Sequence, residues 1–117
     1  MEIESKLVNG IVLVIEPKID CVDASNVKQF REKLYDLIEM KKDIVCDLQH
    51  VQFVDSSGLG VLISCQKRQR SIGGSFRLCG LTQTVQTLFD LMRMERVFEI
   101  FSRRQDALSQ FSIKTSI

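Results

Sequence analysis

The chain has 117 residues, 44% of them apolar and 26% charged, with a formal net charge of +1. That composition suits one domain over residues 1–117, large enough to bury a core without metal or disulfide, and it argues against disorder. The near-neutral balance supplies no global drive toward nucleic acid or an acidic membrane.

The four cysteines, Cys21, Cys46, Cys65 and Cys79, form no C-x-x-C pair, and His50 is the sole histidine. A zinc site of ordinary spacing is therefore not expected, and Cys46, Cys65 and Cys79 read as buried free thiols within apolar runs. Glu2, Glu4 and Lys6 interrupt any signal-peptide pattern, and no apolar run approaches the roughly 20 residues that span a bilayer. The cytoplasm is the expected compartment.

In chain order, Glu2–Val8 and Ile11–Ile15 read as strands joined at Asn9-Gly10, a strong hairpin signal. Pro17, the single proline, should end that ladder because it lacks an N–H. Val27, Phe30, Leu34, Leu37 and Ile38 then make one apolar stripe of a helix that Asp20 or Asp23 can cap. Ile44–Leu48 reads as a buried strand. After the apolar approach Val51–Val54, a second helix should run from about Ser57 to Arg70 and stop before Gly73-Gly74. Ser75–Cys79 is the next strand, and Thr82 caps a third helix bearing Val85, Leu88, Phe89 and Met92. Val97–Phe101 reads as a short strand or extended segment. Ser102-Arg103-Arg104-Gln105 fits a capping box for a last helix carrying Leu108 and Phe111. The order ββαβαβα(β)α predicts an α/β domain with a mixed sheet of four to five strands and about four helices.

Between the second helix and its approach lies Asp55-Ser56-Ser57-Gly58. Serine and aspartate favour N-caps, so one hydroxyl here could cap the helix and the other be a solvated neighbour. Free N–H groups and the partial positive charge of a helix N-terminus also suit an anion or a phosphorylated side chain. Gly58 and Gly60 cost the helix about 0.5–1 kcal/mol each relative to alanine, which suggests close approach by the underlying sheet or by a partner's backbone. A hydrolase reading fits poorly. The elbow G-x-S-x-G is absent because Val54 and Gly58 flank Ser56, and His50 precedes the element by only six residues. Gly58-Leu59-Gly60 lacks the third glycine of a dinucleotide loop, Ile63 standing there instead, and no G-K-[ST] phosphate loop occurs.

Asp55-Ser56-Ser57-Gly58-Leu59-Gly60 after an apolar strand, with Asp47-Leu48 upstream, closely resembles the signature of STAS domains, and in particular the bacterial anti-sigma factor antagonists. The similarity continues through Gly10–Val14, Ile19-Asp20 with Ala24, Gly73-Gly74 before Phe76-Arg77-Leu78, the Val85, Leu88, Phe89, Met92 stripe, Phe98 and Ala107-Leu108. The resemblance implies a non-enzymatic switch with no catalytic residue, cofactor or metal. Ser56 is the implied phosphoacceptor, and Asp20 matches a family aspartate near it. Ser57 is left as cap or local support. Asp20, Asp55, Ser56, Ser57, Gly58, Leu59 and Gly60 make the implied partner surface.

The unmodified protein would bind an anti-sigma factor that is also a serine kinase, so freeing the sigma factor. Phosphorylation would release it, and a metal-dependent serine phosphatase would restore it. No direct nucleic-acid or membrane partner is implied, and the free protein is expected to be monomeric. The alternative within the fold is a STAS module for another partner, such as a secretion regulator or an ABC-transporter accessory subunit; a small serine hydrolase ranks below both.

Charge is unevenly distributed. Residues 1–65 carry 7 Lys/Arg against 11 Asp/Glu, and residues 66–117 carry 9 against 4. Lys67, Arg68, Arg70, Arg77, Arg93, Arg96, Arg103 and Arg104 read as solvated faces and helix C-terminal charges, or as one protein-binding face. The family's acidic approach to the last helix is here Ser102-Arg103-Arg104. His50 reads as a loop residue.

Overall fold

One hairpin and a series of helical crossovers generate the sheet. The computed structural model describes residues 1–115, apart from the side chains of residues 110 and 112–115. In it β1 (Ile3–Val8) pairs antiparallel with β2 (Val12–Pro17). Asn9 and Gly10 both take positive φ, 54° and 69°, and Ile11 N–H donates to the Val8 carbonyl at 3.0 Å. Two left-handed central residues match the twist of the flanking strands, which is why Asn-Gly is a hairpin signal. Pro17 pairs opposite Ile3 as the final residue of β2.

A strand pair not foreseen from sequence comes next: β3 (Cys21–Val22) lies parallel to β5 (Phe53–Val54) as a separate two-stranded sheet. The main sheet is completed by β4 (Asp43–Asp47), β6 (Ser75–Cys79) and β7 (Ile100–Phe101), all parallel to β2, in the order β1-β2-β4-β6-β7. Of the short strand or extended segment expected over Val97–Phe101, β7 is the part that pairs, and a 3-10 turn at Met94–Arg96 leads into it.

The period of two along the strands separates two cores. Leu13, Ile15, Ile44, Cys46, Phe76 and Leu78 face α1 (Val27–Ile38), α2 (Ser56–Ser71) and α3 (Gln83–Leu91). Val12, Val14, Val45 and Cys79 face α4 (Arg104–Thr115), which packs through Ala107 and Phe111. Cys46, Cys65 and Cys79 are buried free thiols, as expected. Burial pushes Cys65 and Cys79 up to about 12 and Cys46 well above its ordinary value.

Three helix starts depart from expectation. Asn26, not Asp20 or Asp23, is the N-cap residue of α1, and its side chain makes no capping bond. Asp23 is instead engaged in the preceding turn, accepting from Ser25 N–H at 2.9 Å and the Ser25 hydroxyl at 2.5 Å. Asp55, not a serine, caps α2. The capping box at Ser102 does not form: α4 begins at Arg104, and Arg103 forks onto Asp106 at 3.3 Å. Thr82 caps α3 as expected, its hydroxyl accepting from Val85 N–H at 3.4 Å.

Two arginines read as solvated charges or as part of a protein-binding face are structural. Arg77 is buried, with its guanidinium 4.0 Å from the Phe111 ring centroid, donating to the Ala107 carbonyl at 3.1 Å and to Glu99 at 3.3 Å. Arg104 bridges Glu16 at 2.5 Å and the buried Asp47 at 3.0 Å, fastening the first turn of α4 to the ends of β2 and β4. A guanidinium suits such places because its donors point in several fixed directions and its flat face stacks on rings.

Candidate functional site

The site forms where the small sheet feeds α2. Asp55 leaves β5 with extended backbone, and its N–H donates to the Val22 carbonyl at 3.0 Å. Its Oδ1 accepts from the N–H groups of Ser57 (2.9 Å) and Gly58 (3.0 Å) and from the Ser57 hydroxyl (2.5 Å). Its Oδ2 accepts from Ala24 N–H at 3.2 Å. One carboxylate therefore caps α2 and fastens the turn after β3 to it. The Ser57 hydroxyl, then the Gly58 N–H, hold the Asp55 carboxyl below its ordinary pKa. The Ser25 hydroxyl and N–H do the same for Asp23, while the charge of Asp55 pushes the other way.

The two hydroxyls thus have different situations. Ser57 is half-buried and bonded to Asp55. Ser56, the first residue of α2, is exposed, and its hydroxyl has no hydrogen-bond partner among the described residues.

The glycines separate in the same way. A methyl group on Gly58 would stand 2.7 Å from Val22 Cγ1 and 3.0 Å from Val54 Cγ1, whereas one on Gly60 would meet nothing within 4 Å. Gly58 lets the helix settle onto the small sheet. Gly60, one turn beyond Ser56, leaves the outer face of the helix bare. Leu59 is buried in the core and supports the site from beneath.

Asp20 is exposed, and its carbonyl accepts from the N–H groups of Gln52 (2.6 Å) and Phe53 (3.3 Å). That anchors its backbone to the start of β5, with no direct bond to Ser56 among the described residues. Asp23, considered from sequence only as a cap, is the carboxylate that feels the charge of Asp55. Phe53, 48% exposed, adds an apolar ring on the strand entering the site. Neither role has a local sequence signal, because both depend on β3 lying beside β5.

His50 lies in a turn with Nε2 2.6 Å from Glu16. It is thereby tied to the Glu16–Arg104 pair, and no general base contacts Ser56 among the described residues. Burial raises the Glu16 pKa, but hydrogen bonds from Arg104 and His50 more than offset that and leave it lowered. No cluster of three or more metal-ligating side chains occurs among the described residues, and no helix there is long and apolar enough to cross a membrane. Among the described residues no side-chain base is hydrogen-bonded to the Ser56 hydroxyl, so no nucleophile–base pair of the hydrolase type is formed there.

A family model for the STAS domain matches residues 2–107. The chain belongs to the STAS domain family. This STAS chain is 31% identical over 84 residues to the anti-sigma-B factor antagonist of Bacillus subtilis (strain 168), covering 72% of this chain and 77% of that protein. The match groups it with the anti-sigma factor antagonists. An anti-sigma-factor antagonist (STAS) domain protein from Planctomyces limnophilus has the same fold, with a TM-score of 0.81 at 20% identity over 94% of this chain and 97% of that one. The Bacillus cell fate determinant SpoIIAA, solved in its phosphorylated form, superposes with a TM-score of 0.69 at 19% identity, covering 94% and 99% of the two chains. The STAS fold explains why the small β3–β5 sheet exists: it carries the signature loop onto the start of α2.

Proposed function

We propose that this protein is a phosphorylation-controlled antagonist in a partner-switching pathway of the cytoplasm. Unmodified, it binds an anti-sigma factor that is also a serine kinase, and the sigma factor is freed. Phosphorylation of Ser56 releases it, and a metal-dependent serine phosphatase resets it. The binding surface comprises Ser56 and Gly60 on the outer face of α2, with Asp20 and Asp55 beside them. Ser57, Gly58 and Leu59 hold that surface in place.

The observation that carries this reading is the exposed, unbonded Ser56 hydroxyl next to a carboxylate that already occupies the helix N-terminus. A phosphate adds about −1.5 to −2 charges. A free helix terminus would attract it, but the N–H groups of Ser57 and Gly58 are engaged by Asp55. The new charge therefore projects outward beside Asp55 and Asp23. A partner seated on Ser56 and Gly60 with a carboxylate or apolar surface then meets like charge or an unmatched one, which costs several kcal/mol at close range. Release follows from local repulsion without refolding. That SpoIIAA, a protein of the same fold, has been solved phosphorylated supports the reading.

The deciding experiment is a lysate pull-down comparing wild type with Ser56→Asp, joined to phosphopeptide mass spectrometry of the protein from its own cells. Wild type should capture an anti-sigma factor and Ser56→Asp should not, with phosphate found on Ser56. If Ser56→Asp keeps every partner of the wild type and Ser56 is never modified, the switch is wrong.

A further inference from the structure

At the end of the molecule where the parallel strands begin lies a cleft of about 330 Å³, between the last turns of α2 and the 3-10 turn at Met94–Arg96. Arg70 and Arg96 line it, and Phe76, Val97 and Phe98 supply apolar surface. Neither Arg70 nor Arg96 has an ion pair or hydrogen-bond partner for its guanidinium among the described residues. Lys42 is also unpaired. Its stem runs past the glycines at the mouth: a methyl on Gly73 would meet its Cε at 3.9 Å, and one on Gly74 its Cγ at 2.9 Å.

Arginine at a helix C-terminus ordinarily complements the helix dipole. In α2 that place is also filled by Arg68, which stacks 4.2 Å over the Tyr35 ring. Of the two carboxylates that line the cleft, Glu99 pairs with the buried Arg77 at 3.3 Å. Glu95 is the one cleft carboxylate without a partner among the described residues. Of the lining charges, Arg70 and Arg96 stand against Glu95 and Glu99, and with Glu99 paired to Arg77 the cations left without a partner among the described residues outnumber such carboxylates by one. The wall is held in shape by Gln66, whose side chain donates to the Val97 carbonyl at 3.0 Å, and by Gly74, where a methyl would collide with the Lys42 carbonyl at 1.9 Å.

We propose that this cleft binds a small polyanion, its charge held by Arg70, Arg96 and Lys42 and its body resting against Phe98 and Val97. The volume suits a compact metabolite rather than a macromolecule. Two guanidinium groups lining one cleft can grip carboxylate or phosphate oxygens in paired bonds that a lone surface cation cannot match. The site is remote in sequence and fold position from Ser56 and stands independently of the switch.

The test is a titration of the full ¹⁵N-labelled chain with pyrophosphate and, separately, with citrate, which distinguishes phosphate from carboxylate recognition. Saturable shifts of the backbone amides of Gly74, Ser75, Arg96, Val97 and Phe98 are expected with at least one of them. Arg70→Gln with Arg96→Gln should weaken the apparent Kd about tenfold or more, as loss of charge-assisted bonds implies. Glu95→Gln should tighten it. Non-saturating shifts, shifts centred on residues 56–58, or a Kd indifferent to all three substitutions would overturn the proposal. All three side chains are exposed, so the variants should fold, and their amide spectra report this directly.

Discussion

Gly58 lies so close over Val22 that a methyl group on it would meet Val22 Cγ1 at 2.7 Å. Valine is stiff about χ1 and is itself fully buried here, so it cannot turn aside. Gly58→Ala is therefore expected to destabilise the protein by about 1–3 kcal/mol, the range for overpacking. Gly60→Ala should have the opposite sign, a gain of about 0.5–1 kcal/mol, because its added methyl meets open solvent in a helix interior. Urea unfolding of the two variants measures this. The same Gly60→Ala protein should lose captured partner, since the bare helix face is the proposed contact.

Asp55→Asn tests the cap and its charge together. Asparagine can still cap a helix, so the loss at neutral pH should be small but measurable. The sign of the pH dependence follows from the lowered pKa values of Asp23 and Asp55. A carboxyl whose folded pKa lies below its unfolded value contributes stability that is complete above the unfolded value, about 4. That contribution is lost as pH falls through the folded value. Wild-type stability should thus fall below about pH 4, and the gap between wild type and Asp55→Asn should narrow there. Denaturant melts at pH 7 and pH 3 provide the comparison.

Arg104 joins Glu16 and the buried Asp47 across three elements. Arg104→Ala leaves the Asp47 charge buried, with only the backbone and side chain of Gln49 donating to it among the described residues. A loss of about 3 kcal/mol is expected, the lower end for breaking a buried pair. Arg104→Lys should recover only part of it, because one ammonium cannot reproduce two directed contacts. Amide exchange should show α4 loosening before the rest of the fold.

Thiol chemistry reports on the two cores. Cys65 and Cys79 are pushed up to about 12 and Cys46 is enclosed, so all three should resist a thiol reagent in the native protein. Cys21 is half-buried, and burial followed by the Asp23 carboxylate also raises it. One slow-reacting thiol is therefore expected in buffer and four in urea. Fast labelling of a second thiol in the native state would mean that a core opens.

Local chemistry in the sequence was enough for the hairpin at Asn9-Gly10, the apolar stripe of α1, the bounds of β6 and the cap at Thr82. Each depends on residues within a few positions of one another, where turn preference and side-chain period act directly. The signature Asp55-Ser56-Ser57-Gly58 was legible for the same reason, as was the crowding implied by a helical glycine. Which glycine was crowded, and by what, was not. That required β3, two residues with no periodicity to reveal them, to lie beside β5.

The sequence by itself determined the α/β order, the hairpin, the helix faces and the serine at the start of α2, because all of these are written in short-range pattern. Only the tertiary structure decided that Asp55 is the cap and the tie to Ala24, that Ser57 is bonded and Ser56 is not, and that Arg77 and Arg104 are interior struts. The tie to Ala24 and the two struts turn on contacts between residues 30 or more apart in the chain, where a charged side chain looks the same in sequence whether it meets water or a buried carboxylate; the Asp55 cap and the Ser57 bond are local, but neighbouring serines and aspartate are equally good caps by type.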